Sequence, residues 1–230
     1  MDQIMYQTLK QQLPDLDDAV ARKLCAFGEA VVKQNEVMNL TAITEPTSVA
    51  KLHLQDSLCV LEAADLNGKT LIDVGCGAGF PGVPIAIANK NCRVTLLDSL
   101  GKRMTWLEQI LPTLEIRAAC VTARAEEYAP THREAFDYAT SRAVARLNIL
   151  LELTAPFVRV GGAVLAMKGA AAREELEEAK NAVSKLGLKV EKILDFPIDG
   201  ANHSVIVLRK IRPTPPQYPR RFAKIKQNPL

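Results

Sequence analysis

The ten residues Asp73-Val-Gly-Cys-Gly-Ala-Gly-Phe-Pro-Gly82 constrain the fold more than any other stretch of the chain. Without Cβ atoms at 75, 77, 79 and 82, the backbone there can turn sharply and pass close to a ligand. A short apolar run, residues 70–74, precedes the loop, and a helical pattern to about Asn89 follows it. Strand, glycine turn and helix in that order open a doubly wound α/β sheet, which binds nucleotides at this turn. The pattern then alternates. Strands are predicted at 93–97, 116–121, 136–140 and 163–167, and helices at 102–111, 147–158 and 173–186. Such alternation means a parallel sheet covered by helices on both faces. Two further strands, 190–196 and 204–208, have only residues 197–203 between them, too few for a parallel crossover. The seventh and last strand is therefore expected to run antiparallel.

The first 66 residues read as helices. Val20, Leu24, Phe27 and Val31 fall on one stripe of a 3.6-residue period, preceded by Asp15, Asp17 and Asp18, which suit a helix N-terminus. A turn at Asn39-Leu-Thr leads to a helix from about Pro46 to Ala63, on which His53, Asp56 and Ser57 share one face. The expected organisation is an N-terminal helical extension over 1–66, an α/β domain over 67–212, and a basic tail over 213–230. Five prolines between 213 and 229 argue against a packed element there.

Charge is unevenly spread. From Gly200 onward there are seven Lys or Arg and no acidic residue, whereas the first 199 residues hold 22 basic and 26 acidic groups. A basic end on an acidic body suits a polyanionic partner, or else a solvated tail. The longest charge-free stretch, residues 74–89, contains four glycines and two prolines and cannot span a membrane as a helix. The N-terminus lacks a secretory pattern. Five scattered cysteines, with no Cys-x-x-Cys pair, argue against a disulfide framework or a zinc site. A cytoplasmic protein with no metal and no membrane partner is expected.

Gly77, Gly79 and Gly82 match the dinucleotide pattern Gly-x-Gly-x-x-Gly, so a nicotinamide cofactor is one reading. Asp73 favours S-adenosylmethionine instead, because its carboxylate can face an ammonium group through water and would repel a pyrophosphate. Asp98, at the end of the second strand, can accept both ribose hydroxyls of a nucleoside or cap the following helix. Glu126, just after the third strand, stands where an adenine amino group can be hydrogen-bonded. The end of the fourth strand reads Thr140-Ser-Arg-Ala143, without the Asp/Asn-Pro-Pro-aromatic sequence of exocyclic amine methylation. No cysteine follows Cys120, so no cytosine-type nucleophile stands near that corner. A nucleophile that needs no deprotonation remains, and purine N7 is one. Arg142 can then hold the cofactor carboxylate, a phosphate or guanine O6.

These residues resemble those of a known family. Asn39-Leu-Thr, His53-Leu-Gln-Asp-Ser57, the glycine loop, Leu97-Asp-Ser-Leu-Gly-Lys-Arg103, Ala123-Arg-Ala-Glu-Glu127, Ser141-Arg-Ala143, Met167-Lys-Gly169 and Tyr218-Pro-Arg-Arg221 occur in order over nearly the whole chain. The set is similar to the bacterial small-subunit ribosomal RNA methyltransferases called RsmG. That resemblance implies a class I, Rossmann-like methyltransferase fold. It also implies methyl transfer from S-adenosylmethionine to N7 of a guanine in the 530 loop of 16S rRNA. Gly75, Phe80, Ala125, Glu126 and Arg142 would hold the cofactor, beside Asp73, Gly77 and Asp98. Asn39, His53, Asp56 and Lys168 would border the guanine or the transferring methyl. Arg124, Lys168, Arg212, Arg220, Arg221 and Lys224 are the expected RNA contacts. The partner would be 16S rRNA or an assembling small subunit, met by a monomer. At Cys76 relatives often carry Thr or Ser, and Phe222-Ala-Lys-Ile-Lys replaces a Gly-Thr-Pro stretch common among them. A nicotinamide-dependent oxidoreductase and a non-catalytic RNA-binding protein are the competing functions. With the pocket confined between Asp73 and Arg142, removal of the tail is expected to leave cofactor binding unchanged.

Overall fold

A computed structural model describes residues 2–230. Helices α1 (Gln3–Gln12) and α2 (Asp18–Asn35) are capped as their sequences dictate: the Asp2 carboxylate accepts from the Met5 N–H, and that of Asp17 from Ala19 and Val20. In α2, Leu24, Phe27 and Val31 are fully buried, with Val20 half-buried at the start of their stripe. The helix predicted at 46–63 is not uniform. It begins as α3 (Pro46–Ser48), widens into a π-helix over Val49–Gln55, and ends as α4 (Asp56–Ala63). In the wide stretch the Asp56 N–H reaches five residues back to the Lys51 carbonyl. Such stretches are rare and gather at functional sites.

The sheet contains β1 (Thr70–Val74), β2 (Arg93–Asp98), β3 (Ala119–Thr122), β4 (Phe136–Arg142), β5 (Val158–Lys168), β6 (Leu188–Ile198) and β7 (Ala201–Lys210). Between strands run α5 (Gly82–Ala88), α6 (Gly101–Thr113), α7 (Ala125–Tyr128), α8 (Leu147–Thr154), α9 (Ala172–Glu178) and α10 (Lys180–Lys185). A short α11 (Phe222–Gln227) follows the last strand. Spatial order is β3-β2-β1-β4-β5-β7-β6, and every pairing is parallel except those of β7, which runs antiparallel to both β5 and β6. Strand order therefore reverses between β1 and β4, and the crevice at their carboxyl ends is the ligand-binding switch point of such sheets. Two sequence expectations change in detail. The helix over 173–186 breaks at Ala179, whose N–H is shared between the Glu175 and Leu176 carbonyls, and the single turn α7 forms where no helix was predicted.

Apolar residues cover both faces. Leu71, Leu96, Leu165 and Val207 pack with Phe27, Leu54, Ile85 and Leu107, so the N-terminal helices and one sheet face share a core. Ile72, Ala139, Val164 and Ile206 pack with Leu150, Leu151, Phe157 and Leu186 on the other face. Among the described residues no helix is long and apolar enough to cross a membrane.

The tail departs from expectation, for it is packed. Prolines remove N–H donors but leave carbonyls, and here side chains take those carbonyls: the Arg133 guanidinium donates to the Thr214 and Tyr218 oxygens, both at 2.6 Å. Thr214 Oγ1 donates to the Leu186 carbonyl. The Arg220 guanidinium donates to both oxygens of Glu152, and its backbone N–H adds a third bond at 2.9 Å. Glu152 and Ile225 are fully buried. Two expected RNA contacts are thereby committed to the body: Arg220 to Glu152, and Arg212 to the Ser184 carbonyl. Arg209 pairs with Glu191, and Lys210 is buried against the Ala155 and Val158 carbonyls. Of the seven basic groups Arg212, Arg221, Lys224 and Lys226 stand exposed, and Arg212 is already engaged by the Ser184 carbonyl.

Removing Arg220 should therefore strand a buried carboxylate. We expect Arg220→Ala to cost about 3 kcal/mol of stability, a fall in melting temperature of roughly 6–12 °C for a chain of this size. A thermal melt within about 2 °C of wild type would show that the Glu152–Arg220 pair does not fix the tail.

Candidate active site

The glycine loop takes its shape from two carboxylates. Asp73, fully buried, accepts from the Gly82 N–H at 2.8 Å. Asp98 accepts from the Gly77 and Leu100 N–H groups, both at 2.9 Å. Burial pushes the Asp73 carboxyl up to about 7, and its second oxygen has no partner in the structure. Asp73 is not among the residues that line the cavity in front of the loop, and its bond to Gly82 ties the loop from behind. A side chain at Gly82 would collide with Leu96 and approach that carboxylate to 2.9 Å, and Gly75 has φ +72° with its missing Cβ facing Val144.

In front of the loop lies a cavity of about 620 Å³, within the usual range for small-molecule sites. Gly75, Gly77, Phe80, Asp98, Ala125, Glu126 and Arg142 all line it, as does Arg124. Sequence reasoning missed Leu40, Thr41, Arg103, Val144 and Phe222, which line it too. For Thr41 and Phe222 the signal is absent from linear order, because both arrive from distant segments. Asn39 does not contribute to this cavity. It is exposed, and its carbonyl accepts from Arg103 at 3.2 Å.

A second cavity, of about 600 Å³, adjoins the first. Both share His53, Arg142, Ala143 and Val144, and the second adds Asp56, Lys168, Glu175 and His203. Their common wall is held by one guanidinium. Arg142 donates to the Leu52 carbonyl and Asp56 Oδ2, both at 2.8 Å, and to His53 Nδ1 at 3.1 Å, while its plane lies over the Phe80 ring. His53 Nδ1 lies between the Arg142 guanidinium and the Leu52 carbonyl, 3.2 Å away, and Nε2 is 2.8 Å from Thr41 Oγ1. Burial, reinforced by Arg142, pulls the His53 pKa down to about 4. His53 is neutral near pH 7. Asp56 gives its other oxygen to His203 Nδ1 at 2.8 Å. His203 was not anticipated, since it lies in the β6–β7 hairpin, 147 residues from its partner.

Lys168 corrects another expectation. Its side chain is buried, donating to the Ala145 carbonyl at 2.6 Å and pairing with Glu175 at 2.8 Å. It braces the loop after β4 and is not a free cation for RNA.

The cavity suits S-adenosylmethionine. Glu126 offers an acceptor at the β3 end, Asp98 offers one beside the glycine loop, and Arg142 offers a cation at the β4 end.

Comparison with known proteins places these features. A family model described as rRNA small subunit methyltransferase G matches residues 20–203. The protein named ribosomal RNA small subunit methyltransferase G from Alkaliphilus metalliredigens is 41% identical over 221 residues, 94% of this chain and 92% of that one. Its namesake from Acetivibrio thermocellus is 42% identical over 94% and 91%. Among solved structures, M. jannaschii TYW2 in complex with AdoMet superposes with a TM-score of 0.57 at 15% identity, covering 69% of this chain and 76% of that one. P. horikoshii TYW2 in complex with MeSAdo gives 0.55 at 16% identity, covering 68% and 62%. The last two likenesses concern the fold alone.

A branched side chain at Gly75 meets both Val144 and an unfavourable φ. Gly75→Val should weaken S-adenosylhomocysteine binding at least tenfold, about 1.4 kcal/mol, with the fold retained. Near-wild-type affinity by calorimetry would remove the glycine loop from the binding site.

Proposed function

Since the chain belongs to the rRNA small subunit methyltransferase G family and is an S-adenosylmethionine-dependent rRNA methyltransferase, we propose that it methylates N7 of a guanine in the 530 loop of 16S rRNA. One observation carries the choice of atom: the groups at the junction of the two cavities are spent on one another. Asp56 serves Arg142 and His203; Glu175 serves Lys168 and the Leu147 N–H; His53 is fixed between Arg142 and Thr41. Both carboxylates of the second cavity are already engaged by donors of the protein itself. Such a site suits a nucleophile whose lone pair is available at neutral pH, and guanine N7 is one.

In this reading the first cavity holds the cofactor and the second the guanine. Bound S-adenosylmethionine supplies an electrophilic methyl on a sulfonium. The chain supplies alignment. Glu126 accepts from the adenine amino group, Asp98 accepts from ribose hydroxyls, and Arg142 faces a carboxylate or the guanine O6 with the donors it has left. Asp56 and His53 act as positioning residues, because they fix the plane of Arg142. Arg221, Lys224 and Lys226 lie along RNA phosphates, and Arg124 is half exposed at the cavity rim. The nicotinamide alternative lapses with the family assignment. The partner is naked 16S rRNA or a small-subunit particle, and the protein acts in the cytoplasm.

The test is transfer of labelled methyl from S-adenosylmethionine to 16S rRNA, as free RNA and as 30S particles, from cells lacking the modification, with the modified base mapped by primer extension. Label on any other base, or none, would overturn the reading. Because His53 is neutral above about pH 4, the single-turnover rate should show no His53-dependent limb between pH 5 and 8. We expect His53→Asn to lower the rate without altering the shape of the profile. A tenfold rise per pH unit that disappears in the variant would instead reveal a general base.

For the tail, neutralising Arg221, Lys224 and Lys226 together should flatten the log–log salt dependence of RNA binding by about 2–3 units and leave the melting temperature in place. An unchanged slope would take the tail out of the RNA interface.

A further inference from the structure

One wall of the cofactor cavity comes from the far end of the chain. Phe222, half-buried, lines the cavity together with Ala123, Ala125, Glu126 and Leu153. It opens α11, which packs on α8, and α8 packs in turn on α7. Phe222 and Leu153 therefore stand beside the β3 end of the cavity, the end where Glu126 can recognise adenine. A six-residue helix has no stability of its own, since isolated helices below ~12–15 residues are marginal. What places the ring is its anchorage. Arg220, two residues before it, is clamped on buried Glu152; Ile225, three residues after it, is fully buried; Arg133 fixes the chain from Thr214 to Tyr218.

We propose that Phe222 is a cofactor-contacting residue whose ring covers the adenine face, so that the anchored C-terminal segment is part of the cofactor site. The inference rests on the cavity being that of S-adenosylmethionine. Glu126 meets the polar edge of the purine and Phe222 its flat face, a division of labour that aromatic side chains provide for any base. It reverses the expectation that the tail can be removed without loss of cofactor binding. That expectation placed every pocket residue between Asp73 and Arg142, and Phe222 lies outside those bounds.

Calorimetric titration of S-adenosylhomocysteine and of adenosine into the full-length protein tests this. Phe222→Ala should weaken both ligands by the same factor, roughly tenfold, with a melting temperature near that of wild type. Phe222→Tyr, which keeps the aromatic face, should restore binding to within about threefold of wild type. If Phe222→Ala melts early, Phe222→Leu keeps the apolar bulk without the aromatic face and should show the same loss. Unchanged affinity in the variant without the ring would overturn the proposal. Weakened S-adenosylhomocysteine binding with unchanged adenosine binding would overturn it too, because the contact would then lie at the amino-acid end. Failure of the wild-type protein itself to bind S-adenosylhomocysteine would refute the cofactor reading and be recognised as such.

Discussion

The Arg142–Asp56 ion pair is where separate parts of the chain become one site. Arg142 ends β4, Asp56 opens α4 and His203 lies in β7, so a single carboxylate ties the N-terminal helices, the central sheet and its antiparallel strand together. Burying such a pair gives little net stability, because desolvation opposes the Coulomb attraction. Its effect is on geometry. With Asp56 on one side, the Leu52 carbonyl behind and Phe80 beneath, the guanidinium has one orientation left. The polar groups around it, Asp56, His53 and His203, are thereby held at fixed distances from one another.

This arrangement explains why so little acid–base equipment is visible in a site built for group transfer. The fold invests its ionisable residues in one another and leaves shape and hydrogen-bond donors to do the aligning. A reaction in which the attacking atom already owns a free lone pair asks for no more than that.

Much of this was legible in the linear sequence, because local rules governed it. The seven strands, their alternation with helices and the antiparallel end all follow from hydrophobic period and connection length. The glycine loop announced its own position. Asp98, Glu126 and Arg142 could be named because strand ends in this architecture face the ligand. Other features depend on contacts no local rule reaches. His203 meets Asp56 across 147 residues, and Arg220 meets Glu152 across 68. The prolines after Arg212 argued against a packed element, yet α11 forms there and the segment is held by Arg133 and Glu152, which belong to other parts of the chain. Lys168 lines the second cavity, but its partner Glu175, seven residues on in a helix that turns back over the strand end, was not legible from the sequence.

The π-helical stretch Val49–Gln55 carries one more consequence, for the lineage rather than the molecule. Its five-residue hydrogen bond accommodates one residue more per turn than a regular helix would. A gene that lost a single codon within it would encode a chain able to relax into ordinary α-helix. Because a wide turn absorbs its extra residue, the following helix would keep its phase and Asp56 its face, whereas Leu52 and His53, which lie within the wide stretch, would lose the placement that sets a carbonyl and a ring nitrogen against Arg142.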